Sequence, residues 1–153
     1  MIIRVSLIFL LFGFTAVSYG ANSAPVLNNT STPSLPAINE DDANPSGMTI
    51  TNLIAATAGI TDVDAGAQQG IAVIAVDNTN GTWEYQTSGS WTGLAGSSTS
   101  AAIPLGAAHK IRFRPNANWE GTVASGITFK AWDRSAGATP GVALNVTTNG
   151  GAT

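Results

Sequence analysis

Apolar and polar positions alternate with a period of two along much of this chain. From His109 to Pro115 the sequence reads HKIRFRP. Ile111 and Phe113 fall on one side of it, and Lys110, Arg112 and Arg114 on the other, which is the pattern of a half-buried strand. Pro115, lacking a ladder donor, ends the run. Gly126 to Asp133 (GITFKAWD) alternates again, with Ile127, Phe129 and Ala131 opposite Thr128, Lys130 and Trp132. Thr82 to Thr87 (TWEYQT) sets Trp83 and Tyr85 against Glu84. Gly70 to Asp77 (GIAVIAVD) is a continuous apolar run, the pattern of a buried strand. The turn Asp77-Asn78-Thr79-Asn80-Gly81 between these last two predicts a β-hairpin. This register predicts Ile111, Phe113, Ile127 and Phe129 buried and Arg112, Arg114 and Lys130 exposed.

Weaker patterns fill the rest. Met48 to Leu53 alternates loosely as a strand would, Ala55 to Ile60 fits a single helical turn, and Val142 to Val146 is a last candidate strand. No stretch of ten or more residues repeats its apolar positions at helical spacing. About seven short strands separated by turn signals predict an all-β fold, a β-sandwich.

The first twenty residues differ from everything after them. Arg4 gives a positive start, Val5 to Tyr19 is mostly apolar, and Ser18 and Gly20 supply small side chains before Ala21. That is the layout of a secretory signal peptide. The run is short of the ~20 apolar residues that span a bilayer comfortably. The sequence therefore predicts a signal peptide over 1–20 and a mature chain from Ala21, secreted or at the cell surface. Residues 21–36 (ANSAPVLNNTSTPSLP) are polar and carry three prolines, as an extended leader would. Residues 37–153 form one module, and no second apolar run is long enough to cross a membrane.

Composition narrows the function classes. The chain has no cysteine, so an exported fold has no disulfide framework and rests on core packing, metal ions or both. Nine acidic residues against six basic ones leave no basic face for nucleic acid or for an anionic membrane. Gly, Ala, Ser, Thr and Asn dominate the remainder and favour short strands and turns.

Four segments taken together resemble a known family. TDVDAG (61–66), the GIAV and AVDNTNGTWEYQT portions of 70–87, IRFRPNANWEGT (111–122) and ITFKAWD (127–133) resemble the cadherin-like tandem repeats of large bacterial surface and adhesin proteins. The likeness runs from about Pro36 to the C-terminus. It implies an immunoglobulin-like β-sandwich, adhesive or structural in role, often tied by calcium, and not catalytic. The family usually adds an edge strand after the segment that is TTNGG here (147–151). The present sequence ends at Thr153, so the resemblance implies either that Val142 to Val146 closes the sheet or that one edge stays open. The turn before Trp91 is also shorter than the family's usual hairpin.

Calcium needs several hard oxygen ligands at one place. Asp62 and Asp64 form an Asp-x-Asp pair whose side chains can project to one side of a loop, and Asp133 closes the strand before it. The resemblance implies that Asp62, Asp64 and Asp133 converge at one pole as calcium ligands. From the residues alone, all three are equally turn-forming aspartates that cap their own backbone. Glu40, Asp41 and Asp42 resemble an acidic ligand group at the opposite pole, where Asn116, Asn118 and Glu120 offer a poor partner set; a solvated acidic turn fits them better.

Tryptophans at 83, 91, 119 and 132 raise a glycan-binding alternative, with Trp91 the residue to test for exposure, although small sandwiches commonly spend aromatics on the core. Catalytic signatures are thin. There is one histidine, His109, and no Gly-x-Ser-x-Gly, His-Glu-x-x-His or phosphate loop. Glu84 and Glu120 would form a glycosidase pair only in a shared cleft. Asn28, Asn29, Asn80 and Asn145 head Asn-x-Ser/Thr sequons, which matter only in a host that glycosylates them. The expectation is an exported, non-catalytic structural or adhesive module. Its partners would be other cadherin-like modules or cell-surface proteins, with a carbohydrate-binding accessory module as the alternative.

Overall fold

The computed structural model describes residues 21–57, 59–135 and 137–148. The predicted signal peptide lies outside the described residues, as does the end of the chain beyond Thr148. Within them the fold is all-β, with nine strands and one short helix. No helix among them is long and apolar enough to cross a membrane.

Two antiparallel sheets build the sandwich. The first runs β2 (Met48–Thr49), β8 (Lys110–Pro115), β5 (Gly81–Gln86), β6 (Thr92–Gly93). The second runs β7 (Ile103–Gly106), β4 (Gly70–Val76), β9 (Ile127–Trp132). A two-stranded ribbon pairs β1 (Val26–Leu27) with β3 (Ile60–Thr61). The leader is thus tied to the body of the module over part of its length.

Between the sheets lies one apolar core. Ile71 and Val73 of β4, Leu105 of β7 and Ala131 of β9 meet Trp83 of β5 and Ile111 and Phe113 of β8. Trp83 packs on Phe113 with ring centroids 5.3 Å apart, and Trp119 meets the far edge of Phe113 at 6.0 Å. Full burial of an apolar side chain of this size contributes ~1.5–3 kcal/mol. Gly126 admits Trp83 into this layer: a Cβ there would stand 2.3 Å from the indole.

The sheet faces follow the alternation, but burial departs from it. Ile111 and Phe113 are buried as predicted, while Ile127 and Phe129 face the core and remain partly covered. Arg114 is exposed and Lys130 half-buried. Arg112, predicted exposed, is only 6% accessible. It sits on the outer face of its sheet, yet that face is roofed by the turn at Asn44–Gly47 and by Trp91. Its Nε donates to Glu84 Oε2 at 2.6 Å, its Nη1 donates to Asn44 Oδ1 and Pro45 O, and the Trp91 ring lies 4.2 Å above it. Gly47 (φ +69°) allows this close approach, since a Cβ there would lie 2.4 Å from Ile111 O. On the second sheet Trp132 also points outward and is fully buried, covered together with Ala72 and Ala102 by the segment that carries Leu144 and Val146.

Three local expectations are corrected. Gly70–Val76 and Gly81–Gln86 do not pair as a hairpin. The turn between them carries the chain from one sheet to the other, and each strand finds partners on both sides within its own sheet. The stretch from Met48 gives only two strand residues before α1 (Ile50–Ala56). Thr49 caps this helix by accepting from Asn52 N, and Ile50, Leu53 and Ile54 bury one stripe. Val142 to Val146 is no strand: it makes an isolated bridge, Leu144 to Ala102, against the residue that precedes β7.

Candidate metal site at the acidic pole

Two chain crossings build this pole. Asp62 and Asp64 follow β3 directly, and Asp133 follows the last residue of β9. The pairing of β1 with β3 brings the leader alongside them. Asp62, Asp64 and Asp133 line one cavity of about 290 Å³, together with Pro25, Gln68 and Gln69 among others.

Five of the six carboxylate oxygens fall into three kinds. Asp62 Oδ1 accepts from Asp64 N at 2.8 Å and Asp133 Oδ1 from Ser135 N at 2.9 Å, both local turns of the kind short acidic residues make with their own backbone. Asp64 Oδ2 accepts from Ser23 N at 2.6 Å, and Asp133 Oδ2 from the Asn22 side-chain amide at 2.7 Å, so the leader holds one oxygen from each. Asp62 Oδ2 is buried without a hydrogen-bond partner. A buried carboxylate oxygen with no donor is costly, and such an atom calls for a cation, a water or a donor.

Both readings of these aspartates therefore have a physical basis. Two of them are turn formers. All three also line one cavity, and Asp62 Oδ2 is buried there without a partner. As they stand, no three His, Cys, Asp or Glu side chains among the described residues are arranged to hold a metal ion. Fit to calcium is thus partial. Asp62, Asp64 and Asp133 would hold the ion and supply its charge complement, and carbonyl or water oxygens would complete its six to eight positions. Bound there, calcium would offset carboxylate repulsion and cross-link two loops.

Positive charge stands close by. Arg134 (φ +67°) donates to Gln68 Oε1 and lies 5.9 Å from the Trp132 ring. It also bears on His109, whose Nδ1 accepts from Gly106 N at 2.9 Å. Burial lowers the pKa of His109, and the Arg134 charge lowers it further.

The remaining candidates are placed as follows. At the far pole, Asp41 Oδ1 accepts from Asn118 N and Asp42 Oδ1 from Asn44 N. Glu40, Asp41 and Glu120 are exposed and Asp42 half-exposed, an acidic turn built on left-handed Asp41 and Asn118. Trp83 and Trp132 are buried; Trp91 and Trp119 are half-buried, one over Arg112 and one on Phe113. None of the four tryptophans is fully exposed. Glu84 is spent on Arg112 and Arg114.

Sequence reasoning missed Asn22 and Ser23. Their sole signal is two short polar residues ahead of Pro25, and it gains meaning only once Val26 is known to pair with Thr61. Comparison of the chain with protein-family models, with curated proteins and with solved structures finds no match.

Proposed function

We propose that this protein is an exported, non-catalytic structural or adhesive module of the cadherin-like repeat type, with an immunoglobulin-like sandwich that calcium stabilises at its acidic pole. The observation that carries the reading is the buried, unpartnered Asp62 Oδ2 in a cavity it shares with Asp64 and Asp133. The four-segment resemblance supplies the family, and the all-β sandwich agrees with it. Other modules of the same kind, or cell-surface proteins, are the partners that follow.

Three carboxylates with water and carbonyls make a weak site, on the order of 10⁻⁴–10⁻³ M, the range of extracellular modules. Binding of that strength suits a compartment with abundant calcium.

Trp132 offers a direct test, since it immediately precedes Asp133 and is fully buried. Terbium, a calcium surrogate, should show emission sensitised by tryptophan, and calcium should quench it by competition. Absence of sensitised emission at millimolar terbium would remove the metal from this reading. Binding to a glycan array without calcium would favour the carbohydrate-binding alternative.

A further inference from the structure

The two edges of the second sheet are treated differently. At β7, Ala102 exchanges both backbone bonds with Leu144, and Pro104 O accepts from Gly141 N. Gly106 O accepts from His109 N, and Gly106 N donates to His109 Nδ1. Residues 102, 104 and 106 therefore turn their backbone groups away from β4, toward covering residues. Antiparallel alternation then orients the strands behind them. Ile103 and Leu105 face Val73 and Ile71, so Gly70 and Ala72 turn toward β9, where Trp132 and Lys130 stand opposite. The bond from Asp77 N to Gly126 O keeps the same order beyond the bulge between Val73 and Ala75. The N–H and C=O groups of Ile127, Phe129 and Ala131 are left on the far side of β9. None of them meets a backbone partner among the described residues, and β1, which comes near, pairs with β3 instead.

An open edge is a template for another strand, and proteins commonly block one with proline, charge or a covering segment. Nothing of that kind stands on β9. The strand has no proline, and its one charged residue, Lys130, turns Nζ to Val146 O. Ile127 and Phe129, on the core face, stay only partly covered.

We propose that β9 pairs antiparallel with β9 of a second copy of this chain, centred on Phe129, and joins the two three-stranded sheets into one continuous sheet. This narrows the partner of the adhesive reading to the chain itself and does not depend on calcium.

The register follows from the groups that face outward. Centred on Phe129, the pairing sets Phe129 against its own counterpart and Ile127 against Ala131 of the second copy, so all three outward-facing residues find partners. The partly covered core-face side chains then meet as an aromatic pair flanked by a large residue opposite a small one. On the outer face Thr128 stands opposite Lys130. A register shifted toward Ala131 would lose a pairing and set Lys130 against Lys130, and like charges directly opposite are destabilising.

Sedimentation velocity of the unaltered protein, over about a hundredfold range of concentration, should show a monomer–dimer equilibrium, weak because an edge contact this narrow falls below the ~1,200 Å² of stable interfaces. Thr128 is exposed, so its variants leave the fold intact. Thr128→Lys sets like charges opposite each other at two symmetric places and should weaken the dimer about fivefold, and Thr128→Glu, opposite Lys130, should tighten it by about the same factor. Hydrogen exchange locates the contact. The amides of Ile127, Phe129 and Ala131 should gain protection as concentration rises, and those of Lys130 and Trp132, which face β4, should be protected throughout. A chain that stays monomeric at every concentration would overturn the pairing and leave the module reading standing. A dimer indifferent to both Thr128 variants would overturn it by placing the contact elsewhere. Protection of the Phe129 amide at every concentration would overturn it as well, by showing that another part of the same chain already fills the edge.

Discussion

Arg112 and Glu84 form an ion pair 2.6 Å long on the outer face of a sheet, with side chains only 7% and 12% accessible. Adjacent strands place them directly opposite each other. Asn44 and Pro45 accept from the Arg112 guanidinium, and the Trp91 ring stacks over it.

Removing one partner leaves a buried charge uncompensated. Glu84→Ala is expected to cost about 3–5 kcal/mol of unfolding free energy, whereas replacing both residues with apolar side chains of similar volume should be near neutral. Urea denaturation of the single and double variants measures both. A loss below about 1 kcal/mol for Glu84→Ala would mean that water reaches the pair freely.

Phe113 is the hinge of the aromatic layer, touching both Trp83 and Trp119. Phe113→Ala should cost about 3–5 kcal/mol, as core aromatic truncations do. The same denaturation experiment reads it, and Trp83, which loses its packing partner, should report a shifted fluorescence maximum.

His109 makes stability depend on pH. Its folded pKa is lowered, first by burial and then by Arg134. The unfolded state therefore takes up the proton first as the pH falls. The contribution of His109 to stability is fully present above its unfolded pKa of about 6.5 and declines as the pH drops from there toward its folded value. Protonation at Nδ1 would also break the bond from Gly106 N. NMR titration of the imidazole should give a pKa below 6.5, and a value above it would refute this account.

How far the sequence carried is visible residue by residue. Period-two alternation placed Ile111, Phe113 and Ala131 on the core face because side-chain direction in a strand is a local property. It failed for Arg112, whose outward face is covered by the distant turn before β2, much as the stretch around Leu144 covers Trp132 on the other sheet. The β4–β5 hairpin failed for a related reason. The turn sequence fixes a reversal but not the sheet in which each strand finds partners, and β8 and β9 decide that. The helix over Ile50–Ala56 is too short for its periodicity to stand out, and only the Thr49 cap hints at it. At the acidic pole, the resemblance set Asp62, Asp64 and Asp133 together, and the three line one cavity. The leader's hold on two of them was not legible, because it depends on the β1–β3 pairing.

The central claim is that the three aspartates form a cation site, and thermal unfolding in EDTA and in calcium tests it most directly. At a calcium concentration about a hundred times the dissociation constant, binding to the folded state alone adds about 2.7 kcal/mol. The unaltered protein should then melt several degrees higher in calcium than in EDTA. Asp62→Asn should lose that increment, and Asp42→Asn, at the far pole, should keep it. Equal melting temperatures for the unaltered protein in the two buffers would contradict the claim and leave Asp62, Asp64 and Asp133 as turn formers alone.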